Sequence, residues 1–463
     1  MPRRVPRFRF IDRRVLLRNL IISLVITLAF IGTLSIYINI KSGSLRNLPH
    51  LPAWLGPQPG SNYVGDDPEL SELMRQVMER QIFRNDTDLD HEHGVAYRAN
   101  ALKLPWFMKG GTVRIDYDRL SGSIWPMNSD DDRIVKQLMY VPPGYTYGGD
   151  TPLKTIVLHG SWDDFHEGRH LFTRDKCPVD SCQVYGAKWN SAADAVIFKD
   201  FLPDAAEKVQ GQLWILYLLE SPLYGLSPVQ KNAVNWTATY RRDSVIVTPY
   251  EKFVLYHPKV KQLPLNGRNF AKNKTKMVAW FVSHCSTRNK RKEYAQELAE
   301  YVHVDVYGEC GKLKCRRGEP EKCLRMLDRD YKFYLAFENA NCKDYITEKF
   351  YNALRHNVVP IVMGASPEEY RQVAPYHSYI HVEDFATAKD LAEYLKLLDR
   401  NSDMYNEYFA WKGTGEFINT FFWCRLCAML HAPPPAPDGC LMYENVTEWW
   451  TNNACRAPKR LKS

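Results

Sequence analysis

The pattern of apolar and polar positions changes its period several times along the chain. Leu20 to Ile38 carries no charge and is rich in Ile and Leu. That length suits a helix crossing ~30 Å of hydrocarbon at ~1.5 Å per residue. A stretch rich in proline and glycine follows over 49–60. Behind Asp67 as a cap and Pro68 in the first turn, Leu70, Leu73, Met74, Val77, Met78 and Ile82 recur at helical spacing and predict one helix. Such a helix either packs on a globular body or pairs with a second copy as a dimerising stem. VPPGYTYGGDTP (141–152) marks a boundary, after which TIVLHG, DAVIFKD and LWILYLLE read as short buried strands alternating with helices. A polar linker near 257–275 precedes a clearer series. Strands are predicted at 277–282, 302–308, 333–339 and 358–364 and in IHVEDF, and helices at 289–301, near 320–329, at 344–357 and at 388–399. Strand–helix alternation predicts an α/β protein with parallel sheets, here two Rossmann-like domains with a cleft between them.

Charge changes the picture little. The formal net charge is +8, but seven arginines within residues 1–18, against Asp12, account for +6 of it. The remainder is too close to neutral to steer the chain to nucleic acid. The same arginines, placed before the apolar run, orient it as an uncleaved signal anchor with everything after ~40 in a lumen. All eleven cysteines lie after the anchor, from Cys177 to Cys455, which fits disulfides in an oxidising compartment. The pair Cys424 and Cys427 has zinc-like spacing but no second such pair follows. The sequons at Asn85, Asn235, Asn273 and Asn445 are N-glycosylation acceptors in a lumen.

Three groups of residues carry candidate chemistry. Glu338 and Asn339 end an apolar strand, where ligands bind in open α/β sheets. Asp344 is a good cap for the next helix. Tyr345, Glu348, Lys349 and Asn352 then share one face at i, i+3, i+4 and i+7, near a helix amino end that favours an anion. A lysine there can take phosphate charge, while a carboxylate and a phenol can hold ribose or sugar hydroxyls. Arg291, after the strand 277–282, is a second phosphate candidate, although Arg288, Lys290 and Lys292 are equally available. Glu220 follows the apolar run Leu213–Leu219; burial there would desolvate the carboxylate, which suits a general base. Asp116/Asp118 and Asp130/Asp132 match an Asp-x-Asp metal motif, but they lie before the boundary and read as solvated loop acids.

These residues carry a resemblance. Glu220-Ser221-Pro222, Asn235 to Ser244, VAWFVSHC (278–285), and Phe337-Glu338-Asn339 followed by Lys343 to Lys349 resemble the α1,3-fucosyltransferase family, glycosyltransferase family 10, over roughly 153–430. Within it the chain looks closest to the core-modifying branch of invertebrates and plants. The resemblance implies a GT-B fold with acceptor domain first and donor domain second, and inverting transfer of L-fucose from GDP-fucose with Glu220 as base. It implies that Arg291 and Lys349 stabilise the diphosphate, while Asn339, Tyr345 and Glu348 hold nucleotide or fucose. It implies no obligatory metal, because cationic side chains neutralise GDP. The cysteine-containing stretch Tyr307 to Cys315 and Cys323, with Cys342, resembles the core branch, whose acceptor is the asparagine-linked GlcNAc of N-glycans on glycoproteins. The alternatives are an outer N-acetyllactosamine acceptor or a type II membrane lectin without chemistry. The family's Asp-Ser-Asp-Ile stands here as Asp243-Ser244-Val245-Ile246, which leaves the role of Asp243 open. The resulting layout is a cytoplasmic tail (1–19), an anchor (20–40) in the Golgi membrane and a stem (41–150) through which a homodimer would form. An acceptor domain (151–265), a GDP-fucose domain (266–430) and a cysteine-containing tail (431–463) follow.

Overall fold

The computed structural model describes residues 68–85, 103–114, 123–126, 131–162, 165–224, 229–315, 320–435 and 441–458. The expected cytoplasmic tail and anchor lie outside them. Among the described residues no helix is long and apolar enough to cross a membrane.

Two five-stranded parallel sheets form the body. The first contains β1 (Lys154–His159), β2 (Cys182–Gly186), β3 (Ala195–Lys199), β4 (Leu213–Leu218) and β5 (Trp236–Thr239), in the order β2-β1-β3-β4-β5. β6 (Lys252–Leu255) lies between the sheets in sequence and pairs antiparallel with β12 (Gly415–Ile418). The second sheet holds β7 (Lys276–Phe281), β8 (Val304–Tyr307), β9 (Tyr331–Phe337), β10 (Val359–Met363) and β11 (Ile380–His381), ordered β8-β7-β9-β10-β11. Each sheet therefore starts in the middle, steps to one side and then crosses to the other. The strand order reverses between β1 and β3 in the first sheet and between β7 and β9 in the second. Crevices at such reversal points, outside the carboxyl ends of the strands, are where open α/β sheets bind ligands.

β9 is buried at every position, as a central parallel strand covered on both faces must be. Helices Arg291–Ala299, Pro320–Asp330, Glu348–Arg355 and Ala388–Arg400 cover the second sheet close to where the apolar pattern predicts them. The first sheet is covered differently. Among the described residues its connections hold only the five-residue helix His170–Arg174 and two 3-10 turns. Much of its cover comes instead from helix Phe422–Leu430, whose Leu426, Ala428 and Met429 pack in one cluster with Ile156, Val184 and Ile215. Disulfides Cys177–Cys424 and Cys182–Cys427 fix that helix in place. Residues expected to close the second domain thus return to the first.

Part of the segment expected as a stem is also core. Leu104, Phe107, Met108, Ile134, Leu138 and Met139 are buried in one cluster with Val247, Tyr256, Val260 and Leu263. Arg133 reaches 2.7 Å to Arg242 O and 2.6 Å to Ser244 O. The helix Pro68–Asn85 packs Val77 into the same cluster, with Leu70, Leu73, Met74 and Met78 against it. The described part of its apolar stripe therefore packs within the chain.

Ten cysteines are paired, the remaining bonds being Cys285–Cys310, Cys315–Cys323 and Cys342–Cys455. The eleventh, Cys440, lies outside the described residues. The sequons differ in access. Asn273 is exposed, and Asn445 caps helix Val446–Thr451 through its side-chain oxygen. The side chain of Asn85 lies outside the described set. Asn235 corrects the expectation. It is 2% exposed, and its Oδ1 accepts from Trp214 N at 2.9 Å and from Lys208 Nζ at 2.6 Å, so the sequon side chain is built into the core instead of lying at the surface.

Candidate active site

The carboxyl ends of β7 and β9 bring two loops together. After β9, Glu338 is fully buried and its N–H donates to Met363 O at 2.8 Å. Asn289, from the loop after β7, donates to Glu338 O at 2.9 Å and to Asn341 Oδ1 at 3.0 Å. Arg291 begins helix Arg291–Ala299 but turns inward. Its Nη1 donates to Phe337 O at 2.8 Å and its Nη2 to His284 O at 2.9 Å, leaving the side chain buried. Burial pulls its pKa down, with Glu338 opposing the shift. Arg291, expected as a phosphate ligand, thus spends two of its nitrogens on tying the β7 and β9 loops together.

The loop before helix Glu348–Arg355 departs from prediction. The helix starts at Glu348, not at Asp344, and Thr347 is its N-cap residue. Asp344 has φ 56 and accepts from Arg242 N and Arg242 Nε, both at 2.9 Å. Beside it Asp243 takes Arg241 Nη2 at 2.6 Å and Lys343 Nζ at 2.9 Å, which supplies the role its sequence context left open. Arg241 also donates to Trp449 O at 2.6 Å, and Cys342 is bonded to Cys455. The residues after β5, the loop after β9 and the C-terminal helix Val446–Thr451 are thereby locked into one seam between the sheets.

That seam delivers Tyr345 to Glu220. Tyr345 is buried, its ring 5.1 Å from Tyr240, and its hydroxyl donates to Glu220 Oε1 at 2.7 Å. Burial pushes the Tyr345 pKa far up, and Glu338 and Glu220 add to the shift, so the phenol stays a donor. Ser221 N at 2.9 Å and Asn339 Nδ2 at 3.4 Å approach the same carboxylate oxygen. Glu220 itself is exposed, not desolvated. Three donors thus orient Oε1, and no hydrogen bond among the described residues engages Oε2. Tyr224 and His284 also meet across the seam, their rings 5.5 Å apart.

Lys349 stands at the head of its helix, 2.8 Å from Thr347 Oγ1, 3.0 Å from Glu348 Oε1 and 3.1 Å from Glu338 Oε2. Burial opposes its charge, but the two carboxylates outweigh that and hold its pKa above the ordinary lysine value. Several buried polar atoms around this site have no partner: Ser221 Oγ, Thr287 Oγ1, Asn289 Oδ1, Arg291 Nε and Asn339 Oδ1. A buried polar atom without a partner costs ~1–3 kcal/mol, so their grouping on the loops after β4, β7 and β9 marks a place built for a polar ligand.

Tyr345, Asn339 and Glu220 are therefore in contact, and Glu348 and Lys349 pair with each other at the head of the next helix. Arg291 lies beneath them. Asn289 and the pairing of Arg242 with Asp344 were not singled out by sequence, and Glu338 was marked only by its strand-end position. Solvated loop acids were expected here, but Asp132 is half-buried and pairs with Lys252 at 2.5 Å, while Asp116, Asp118 and Asp130 lie outside the described residues. The one cluster of ligand-type side chains among the described residues is Cys182, Cys427 and His431, and its two sulfurs are joined as a disulfide.

Known families match both halves of this arrangement. Residues 152–251 match the model described as "Fucosyltransferase, N-terminal", and residues 271–449 match "Glycosyltransferase family 10 (fucosyltransferase) C-term". The chain is 35% identical over 331 residues to alpha-(1,3)-fucosyltransferase C of Drosophila melanogaster, covering 65% of this chain and 76% of that protein. The chain belongs to glycosyltransferase family 10. It is also 50% identical over 328 residues to glycoprotein 3-alpha-L-fucosyltransferase A of Drosophila melanogaster. That match covers 69% of this chain and spans 65% of the relative's length. A solved α1,3-fucosyltransferase with GDP-fucose superposes with a TM-score of 0.41 at 16% identity, covering 66% of this chain and 96% of that one. In this family 10 chain the two matched segments each hold one of the sheets, and the Glu220–Tyr345 contact joins them.

Proposed function

We propose that this chain transfers L-fucose from GDP-fucose, in α1,3 linkage and with inversion, to the asparagine-linked GlcNAc of N-glycans on glycoproteins. One observation carries the reading: Tyr345 of the second half donates at 2.7 Å to Glu220 of the first, so a carboxylate of one half faces the phosphate-type loop of the other. In the reaction the acceptor hydroxyl oxygen attacks the anomeric carbon of fucose from the side opposite the diphosphate. Its proton passes to Glu220 Oε2, the bond to the diphosphate oxygen breaks, and GDP leaves with the electron pair. Tyr345, Ser221 N and Asn339 keep the base aimed by occupying Oε1. Lys349 supplies the cation closest to the developing charge, Arg291 braces the loops beneath, and Glu348 with Asn339 takes sugar or ribose hydroxyls. Cationic side chains serve where other transferases use a metal.

The fold reading is GT-B, with acceptor and donor halves meeting at the seam, and the setting is a type II anchor in the Golgi membrane with the catalytic body in the lumen. The half-identical Drosophila relative, named for glycoprotein 3-alpha-L-fucosyl transfer, supports the glycoprotein acceptor. The test incubates the full chain with GDP-fucose and a core glycopeptide in EDTA and follows GDP and fucosylated product. Stoichiometric release of both is expected. Lack of any GDP affinity would return the lectin reading, and strict dependence on added Mn²⁺ would overturn the metal-free one.

A further inference from the structure

Glu338 has no role in the mechanism above, yet it is among the most tightly held side chains near the site. It is 0% exposed. Its Oε1 accepts from Thr347 N at 2.8 Å, and Thr347 Oγ1 lies 2.9 Å from Oε1 and 2.8 Å from Oε2. Lys349 Nζ is 3.1 Å from Oε2. The backbone makes room for this carboxylate: a Cβ on Gly364 would lie 2.8 Å from Glu338 Cγ and 3.0 Å from its Cβ. The main chain is fixed at both ends, by Met363 O and by Asn289.

We propose that Glu338 is a positioning residue, whose buried carboxylate sets the place of Lys349 against the donor's diphosphate. The proposal rests on the GDP-fucose reading. Burying a carboxylate costs several kcal/mol unless it is paired, so Lys349 cannot swing away into solvent without exposing that cost. Lys349 has three N–H donors, directed at Glu338, Thr347 Oγ1 and Glu348. Glu348 is the exposed partner, its side chain 55% accessible, and is the one a phosphate oxygen replaces. Glu338 and Thr347 keep the other two donors and so fix the direction of the third. Thr347 N–H on Glu338 joins the first turn of helix Glu348–Arg355 to the same unit.

The sign of the effect separates this role from that of a spectator charge. A carboxylate near a diphosphate repels it, so charge alone predicts that Glu338→Gln binds GDP more tightly. Positioning predicts the reverse. The experiment measures GDP dissociation constants by calorimetry, and kcat and KM for both substrates, on the full chain. It compares wild type, Glu338→Gln, Lys349→Ala and the double variant. Glu338→Gln should weaken GDP binding roughly tenfold and raise KM for GDP-fucose, with KM for the glycopeptide unchanged. In the double variant GDP binding should be within about twofold of Lys349→Ala alone, because the two residues act as one unit. Tighter or unchanged GDP binding by Glu338→Gln, or additive losses in the double variant, overturns the inference. If Glu338→Gln fails to fold, Thr347→Val enters the same cycle, since it removes the hydroxyl that both residues touch. A wild-type chain that binds GDP while the cycle shows no coupling sinks this inference alone; a wild-type chain without GDP affinity sinks the functional reading with it.

Discussion

Replacing Glu220 by glutamine probes the proposed base with little change of shape. The amide oxygen can keep the Tyr345 hydroxyl now 2.7 Å from Oε1, and also the Ser221 N–H at 2.9 Å. The amide that replaces Oε2 cannot accept the acceptor's proton. Losing a general base costs about 10²–10⁴ in rate, or ~2.7–5.5 kcal/mol of transition-state stabilisation. Lys349, the cation assigned to the diphosphate, pairs with Glu338, Glu348 and Thr347 and not with Glu220 among the described residues, so the GDP dissociation constant should stay within about threefold of wild type. Glu220→Asp is the finer control: it withdraws the carboxylate by roughly 1.5 Å, and a misplacement of that order costs about 10². The assay is fucose transfer to a core glycopeptide at saturating GDP-fucose, paired with calorimetric GDP binding. Turnover by Glu220→Gln within about threefold of wild type would refute the assignment of the base. Loss of GDP binding in that variant would refute the separation of base from donor site.

Other outcomes follow from the same geometry. Lys349→Ala should weaken GDP about ten- to a hundredfold and lower turnover with it, read by calorimetry and initial rates. A fragment beginning at 151 omits the buried Leu104, Phe107, Ile134, Leu138 and Met139, so it should aggregate or melt well below one beginning at 65, as differential scanning fluorimetry would show. His381 is buried, with Nε2 3.1 Å from Ala365 O and Nδ1 accepting from Glu383 N, and burial lowers its pKa to about 4. The unfolded chain binds that proton near pH 6.5 and the folded one does not, so stability should fall from about pH 6.5 to about 4. His381→Gln should flatten that slope in urea titrations at stepped pH.

The second sheet was legible because most of its strands are largely apolar and end in glycine or polar turns; β9, buried at every position, is the clearest case. The first was less so. β2 and β5 contain Gln183, Thr237 and Thr239 among few apolar residues, and β5 begins within a sequon that reads as surface. Asp344 has a cap's chemistry, but its pairing with Arg242, about a hundred residues earlier in the chain, fixes it at positive φ and delays the helix to Glu348. Disulfides Cys177–Cys424 and Cys182–Cys427 span separations of 247 and 245 residues, which spacing rules cannot pair. Within the site, Tyr345, Lys349 and Glu220 were legible from strand ends and helix starts. The inward turn of Arg291 and the burial of Glu338 depend on the reversal between β7 and β9, which exists only once the sheet is assembled.

The most direct test of the account offers the full chain GDP-fucose with two acceptors, a core glycopeptide and N-acetyllactosamine, and maps the added sugar by mass spectrometry and linkage analysis. The account predicts a single fucose, α1,3-linked to the asparagine-bound GlcNAc. Fucose found only on the outer disaccharide would contradict the core acceptor, and no transfer to either would contradict the enzymatic reading itself.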